Sequence, residues 1–209
     1  MLPPCGVIIV SALIVTYAKR LFPNILMKLL GKLCMLGYAV PGAVVAISIL
    51  IYFSDIGKLI GGSSNDISLT RIMFTLTPIG LIVAYAVRFM TPALAPIEAG
   101  MGRISSSMDE ASALLGRSSW GGFFRVHLPL LRLPLLGALI VLFVDVLKEL
   151  PLTLVLRPPN VETLATTCYG LIQKEERIAD GSLPALILVV VGTSGVLALH
   201  GLIRRRTVY

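Results

Sequence analysis

The side chains best suited to chemistry are three charges inside one apolar stretch, Asp145, Lys148 and Glu149. Their spacing of i, i+3 and i+4 puts them on one face of a helix. A charge at bilayer depth costs about 2.5–3.5 kcal/mol on insertion scales, so such groups turn toward protein or water. As an acid or base, Asp145 or Glu149 would serve an intramembrane enzyme. As fixed charges, the three would line a translocation path and shape its outer gate, with Pro151 breaking the helix just above. Lys148 can pair with Asp145 or with an acid on another helix, and a neutralised cluster would also serve simply to pack a bundle.

The rest of the sequence offers the enzyme little. His127 lies in a polar loop and His200 near the end of the last apolar run, so neither forms a nucleophile–base pair. Cys5, Cys34 and Cys168 are too scattered for a disulfide framework or a metal site. No Gly-rich phosphate loop ending in Lys-Ser or Lys-Thr occurs, so nucleotide binding is not expected. No catalytic residue, metal ligand or cofactor is assigned.

These residues must be positioned by membrane spans. Of 209 residues, 56% are hydrophobic and 14% charged, against roughly 45–50% and a quarter in soluble domains. That excludes a disordered tail, a disulfide-stapled module and an ordinary soluble enzyme. The net charge of +7 is spread between apolar runs rather than gathered on a patch, so the expected partner is lipid and not nucleic acid. Five segments approach the roughly 20 apolar residues that a spanning helix needs: Leu2–Ala18, Leu33–Phe53, Ile72–Met90, Leu133–Leu156 and Leu183–Ile203. None alternates with the period of two that a barrel strand shows. The fold class is therefore an all-α integral membrane protein of five transmembrane helices, a single domain over residues 1–209. In the second span, Gly42 and Ala46 form a small-residue stripe for close helix packing. Pro41 beside Gly42 marks a kink whose freed carbonyl must find another partner. Arg88 is read as snorkelling from the end of the third span.

Loop charge sets the orientation. Twelve Lys and Arg fall on the side holding residues 94–132 and the C-terminus, five on the other, and Lys148 within a span. The 94–132 loop and C-terminus are expected in the cytoplasm and the N-terminus outside. Residues 54–70 read as a short external turn, and a surface helix is expected near Gln173–Asp180.

The 94–132 loop has its own grammar. Ser107 and Glu110 have the spacing of a capping box, and Asp109 and Glu110 suit the positive end of a helix dipole. Gly116 would end that helix in the left-handed conformation. A second short helix from Ser118 would expose Trp120, Phe123 and Phe124 before Pro129 stops it. The result is a helix–turn–helix elbow.

Glu110, Ala111, Ser112, Gly116, Val126, Leu128 and Pro129 match the spacing of a cytoplasmic signature in the permeases of type I ABC importers, which this chain resembles. Gly37–Gly42, Lys148–Pro158 and Glu162–Ala165 are similar to the ferric-iron branch, with thiamine, polyamine and other relatives open. The resemblance implies that the elbow is a coupling helix docking on a separate ABC ATPase, with Glu110, Ala111 and Gly116 at the contact. It also implies an extracytoplasmic substrate-binding protein and a home in the bacterial inner membrane. Such permeases usually carry two fused halves; this chain resembles a C-terminal half without its first helix, completed by a second half or by dimerisation.

Overall fold

The computed structural model describes residues 2–61, 78–159, 161–174 and 176–207. Helix α1 (Leu2–Leu21) carries Pro3 and Pro4 in its first turn, where backbone N–H groups need no intrahelical partner. After a short linker come α2 (Ile25–Leu36) and α3 (Gly42–Gly61). Helix α4 (Ile79–Met101) follows, then α5 (Ser106–Leu114) and α6 (Ser119–Gly122). A π-helical turn over Phe123–His127 leads into α7 (Leu128–Leu147). The chain continues with α8 (Pro151–Leu156), α9 (Leu164–Tyr169), a second π-helical turn over Gly170–Lys174, and the long α10 (Ile178–Thr207).

Four stretches among the described residues are long and apolar enough to cross a membrane: Pro3–Leu21, Ile79–Met101, Ser119–Leu147 and Ile178–Gly201. The expected second span is not one helix. It is assembled from α2 and α3 across a break at residues 37–41, because Pro41 supplies no N–H to continue the ladder. A Cβ on Gly37 would overlap the Val87 carbonyl, so this turn of chain sits directly on α4. The expected fourth span is also broken: α7 ends at Leu147 and α8 restarts at Pro151. The third reaches Met101 rather than Met90, and its described part begins at Pro78. Residues 54–61 belong to α3, and 62–70 lie outside the described residues. The helix expected near Gln173–Asp180 lies earlier, as α9.

Contacts fix the directions. Helices α1 and α4 run parallel, joined at one end by Lys19 Nζ to Glu98 Oε1 at 2.5 Å. Helix α7 returns antiparallel to α4, close enough that a Cβ on Gly100 would lie 2.5 Å from the Pro134 ring. Helix α10 runs antiparallel to α7, with Gly195 over Val144 and Gly137 over Leu199. Small residues at these crossings let the backbones approach, which is how helices pack where lipid supplies no hydrophobic drive. Among the described residues the larger core cluster runs through the bundle from Ile8 and Ala12 through Ala46, Ala84 and Leu94 to Ala138, Leu142 and Leu152, all fully buried, and a smaller one gathers Tyr17, Met101, Ile104, Phe123 and Leu131.

Candidate functional site

The elbow lies between α4 and α7. Helix α5 starts two residues before the expected cap: its N-cap is Ser105, without a side-chain capping bond, and the Ser107–Glu110 box does not form. Ser105 and Ser107 bond each other instead, hydroxyl to hydroxyl at 2.8 Å. The far end follows expectation. Gly116 has φ +71°, its N–H donates to Ala113 O at 2.9 Å, and the Arg117 N–H donates to Ser112 O at 3.2 Å. That is the paired closure of a Schellman cap. Ser118 then caps α6, accepting from the Gly121 N–H at 3.3 Å.

Glu110, Ala111 and Gly116 are exposed. So is an apolar crest around them: Leu114 is 89% accessible and Trp120 66%. Phe123 corrects the sequence reading. It is only 8% accessible, with its ring centroid 4.7 Å from that of Tyr17, because the π-helical turn rotates it inward onto α1. Pro129 does not stop the helix either; it follows directly on the π-helical turn, in the first turn of α7, and the helix runs on to Leu147.

What holds the elbow has no signal in the residue pattern. Arg20 holds it: its guanidinium donates to Asp109 Oδ2 at 2.8 Å, to Met101 O and Ile104 O at 2.9 Å, and to Ser105 O at 3.1 Å. Beside it the Tyr17 hydroxyl donates to Ser119 O at 2.5 Å. Buried His127 brings Nε2 to 2.8 Å from Asp109 Oδ1, an ion-pair distance whose angle falls outside hydrogen-bond geometry. One end of α1 thus straps both arms of the elbow to the bundle.

The second cluster lies deep in the bundle, where both broken spans meet α4. Asp145, Lys148 and Glu149 do not act as one face, because the helix ends at Leu147. Lys148 Nζ pairs with Asp145 Oδ1 at 2.8 Å. Glu149 turns away to Arg88, whose Nε lies 3.3 Å from Oε2. Its Oε1 accepts from the Leu152 N–H at 3.3 Å, which satisfies one orphan donor of α8. Arg88 does not snorkel. It is the tenth of 23 residues in α4, 18% accessible at its side chain, and Nη1 donates to the Val40 carbonyl. One turn on, the Thr91 hydroxyl donates to Met35 O at 2.7 Å. The carbonyls freed by the 37–41 break are therefore met by α4. Gly42 completes the junction, since a Cβ there would lie 2.5 Å from Glu149 Oε1. Helix α4 itself departs from helical geometry one residue on, at Phe89 (φ −99°, ψ 16°), as a proline at position 92 clashes with the carbonyl of residue 88. Three discontinuities therefore share one depth, pinned by one ion pair. Arg88 had a sequence signal: two acids and one lysine at membrane depth leave an acid in need of a second cation. Below the junction in chain order, Tyr85 OH and Thr153 Oγ1 are 2.6 Å apart and buried.

Among the described residues no cluster of three or more His, Cys, Asp or Glu could hold a metal ion.

A family model described as the binding-protein-dependent transport system inner membrane component matches residues 8–209. The chain belongs to that family. It is 31% identical over 169 residues to the ferric transport system permease protein FbpB of Actinobacillus pleuropneumoniae, covering 78% of this chain and 22% of that protein. It is 36% identical over 117 residues to a putative ferric transport system permease protein FbpB 1 of Haemophilus influenzae, covering 56% and 16%. It is 28% identical over 164 residues to a putative 2-aminoethylphosphonate transport system permease protein PhnV of Salmonella typhimurium, covering 78% and 56%. The chain thus spans about a sixth to a half of these relatives. A solved bacterial alginate ABC transporter in complex with an alginate pentasaccharide-bound periplasmic protein has the same fold, with TM-score 0.72, 17% identity, and coverage of 99% of this chain and 74% of that one. The family is one of transport permeases in the inner membrane, so the chain is a multi-pass membrane transport component.

Proposed function

We propose that the chain is the C-terminal half of an ABC importer permease, with the elbow and C-terminus in the cytoplasm and the N-terminus outside. The excess of Lys and Arg on the elbow side supports that orientation. The observation that carries the reading is the elbow, an exposed apolar crest strapped to α1 and α4 by Arg20. A mobile loop would absorb a push; a strapped one passes it to the bundle. A separate ATPase takes the crest, with Glu110, Ala111 and Gly116 at the contact, and ATP hydrolysis belongs to that partner. An external binding protein delivers cargo to the opposite end, and a second permease half or copy completes the path. Of Asp145, Lys148 and Glu149, Lys148 faces the path while the two acids stand behind it.

Co-purification of detergent-solubilised chain with the ATPase tests this. Gly116→Pro, with helical content retained, should abolish the association; undiminished association would remove the elbow from the contact. Ferric iron is the proposed cargo, supported by the ferric relatives. The phosphonate relative supports a second reading. Rescue of a transporter-deficient strain on ferric iron, with the missing half supplied, decides between them; rescue on 2-aminoethylphosphonate alone would reassign the cargo.

A further inference from the structure

The junction between the broken spans exposes one charge and hides the others. Lys148 is 67% accessible at its side chain, whereas Asp145 and Glu149 are at 9%. Its depth follows from Glu149, the next residue, which pairs with Arg88. Arg88 lies nine residues from one end of α4 and thirteen from the other, roughly 13 Å and 20 Å at 1.5 Å per residue. A four-carbon stem spans neither distance, so the ammonium cannot snorkel to an interface. Facing lipid there would carry the full cost of a buried charge. The backbone makes the same point independently. Residues 37–41 and 148–150 interrupt two spans at this depth, and irregular backbone is tolerated in the membrane only inside protein or beside water. Tyr38, on the first break, is exposed, with its ring centroid 6.5 Å from that of Phe89, the neighbour of Arg88 on α4.

We propose that Tyr38 and Lys148 form an anion-preferring site in the water-filled path, so that the cargo crosses this layer as an oxyanion or a complex of net negative charge. This rests on the path reading given above. The ammonium has three donors, of which Asp145 takes one at 2.8 Å. An arriving anion meets the remaining donors directly. An arriving cation meets Lys148 first and must push it off the buried acid to gain any attraction. Glu149 does not offset this arrangement, because its carboxylate is paired with Arg88. Iron would then pass with charged ligands around it, not as a bare hydrated cation; a phosphonate would pass as it is.

The test needs no knowledge of the cargo. In the full chain assembled with its transport partners in membranes, and with Cys5, Cys34 and Cys168 replaced, a reporter thiol is placed by Tyr38→Cys or, on the same break, Ala39→Cys. Two methanethiosulfonates of similar size, one bearing a sulfonate and one a trimethylammonium, are compared after normalising each rate to a free thiol in solution. The sulfonate should be favoured about fivefold or more, as a unit charge several ångströms away in partly solvated surroundings dictates. Lys148→Gln should level the two rates and Lys148→Glu should invert them. Equal rates with Lys148 present would overturn the anion preference while leaving the path intact. A preference that survives Lys148→Gln would overturn the assignment to Lys148. Failure of both reagents at both reporters would overturn the path reading and this one together.

Discussion

Replacing Arg88 by Met keeps an apolar stem of similar length and removes the guanidinium at the junction. Two groups then lose their partner: the Glu149 carboxylate, 9% accessible at its side chain, and the Val40 carbonyl. Removing one member of a buried pair costs about 3–5 kcal/mol, chiefly because the other charge is stranded. The unpaired carbonyl adds about 1–3 kcal/mol. Glu149→Gln should be milder, since a glutamine oxygen still accepts from the Leu152 N–H and no charge is left behind on the acid. The double variant strands neither charge, so its cost should fall below the sum of the singles by about 2 kcal/mol, within the range for residues in contact. Unfolding in mixed micelles by titrated dodecyl sulfate, followed by circular dichroism, gives the three differences. A loss under about 0.5 kcal/mol for Arg88→Met, or strict additivity in the double variant, would refute the junction as an energetic unit.

Gly37→Ala should destabilise severely, because its Cβ meets backbone at Val87 that cannot swing aside; Gly192→Ala, with nothing within 4 Å in a helix, should stabilise by about 0.5–1 kcal/mol, and equal behaviour in the same unfolding assay would contradict the packing. Arg20→Gln removes the charged donor shared by Asp109 and three carbonyls, so amide exchange over Ser106–Leu114 should accelerate about tenfold or more, equivalent to about 1.4 kcal/mol or more, while exchange in α10 stays unchanged. At the opposite end, the hydrogen bond from Arg157 holds the Glu162 carboxyl below its usual value of 4.5. The stabilisation is therefore complete above about pH 4.5 and fades as pH falls through the depressed folded value; protection of the Thr166 and Thr167 amides should fall in that window, and Arg157→Gln should flatten the dependence.

Much of the elbow was legible in the residues. Gly116 ends α5 with a positive φ because only glycine takes that conformation without strain, and Ser118 caps the next helix because a short hydroxyl reaches the N–H three residues on. Trp120 and Phe124 are exposed as expected, but Phe123 is buried: the π-helical turn and the ring of Tyr17, more than a hundred residues earlier, turn it inward. The capping box failed for a similar reason. Asp109 is drawn to Arg20 and His127, and α5 begins early at Ser105.

What composition and hydropathy determined by themselves is the helical, membrane-spanning class, since apolar length and the demand for internal backbone pairing are properties of each segment alone. Where the second and fourth spans break was decided by tertiary structure. Pro41 and Pro151 make interruption cheap, yet a broken span survives only if its freed backbone groups find partners. Those partners are Thr91 and Arg88 on α4 for one break and the Glu149 side chain for the other. A hydropathy window counts Arg88 as a charge near a helix end; only the packed bundle makes it the pin that joins three helices.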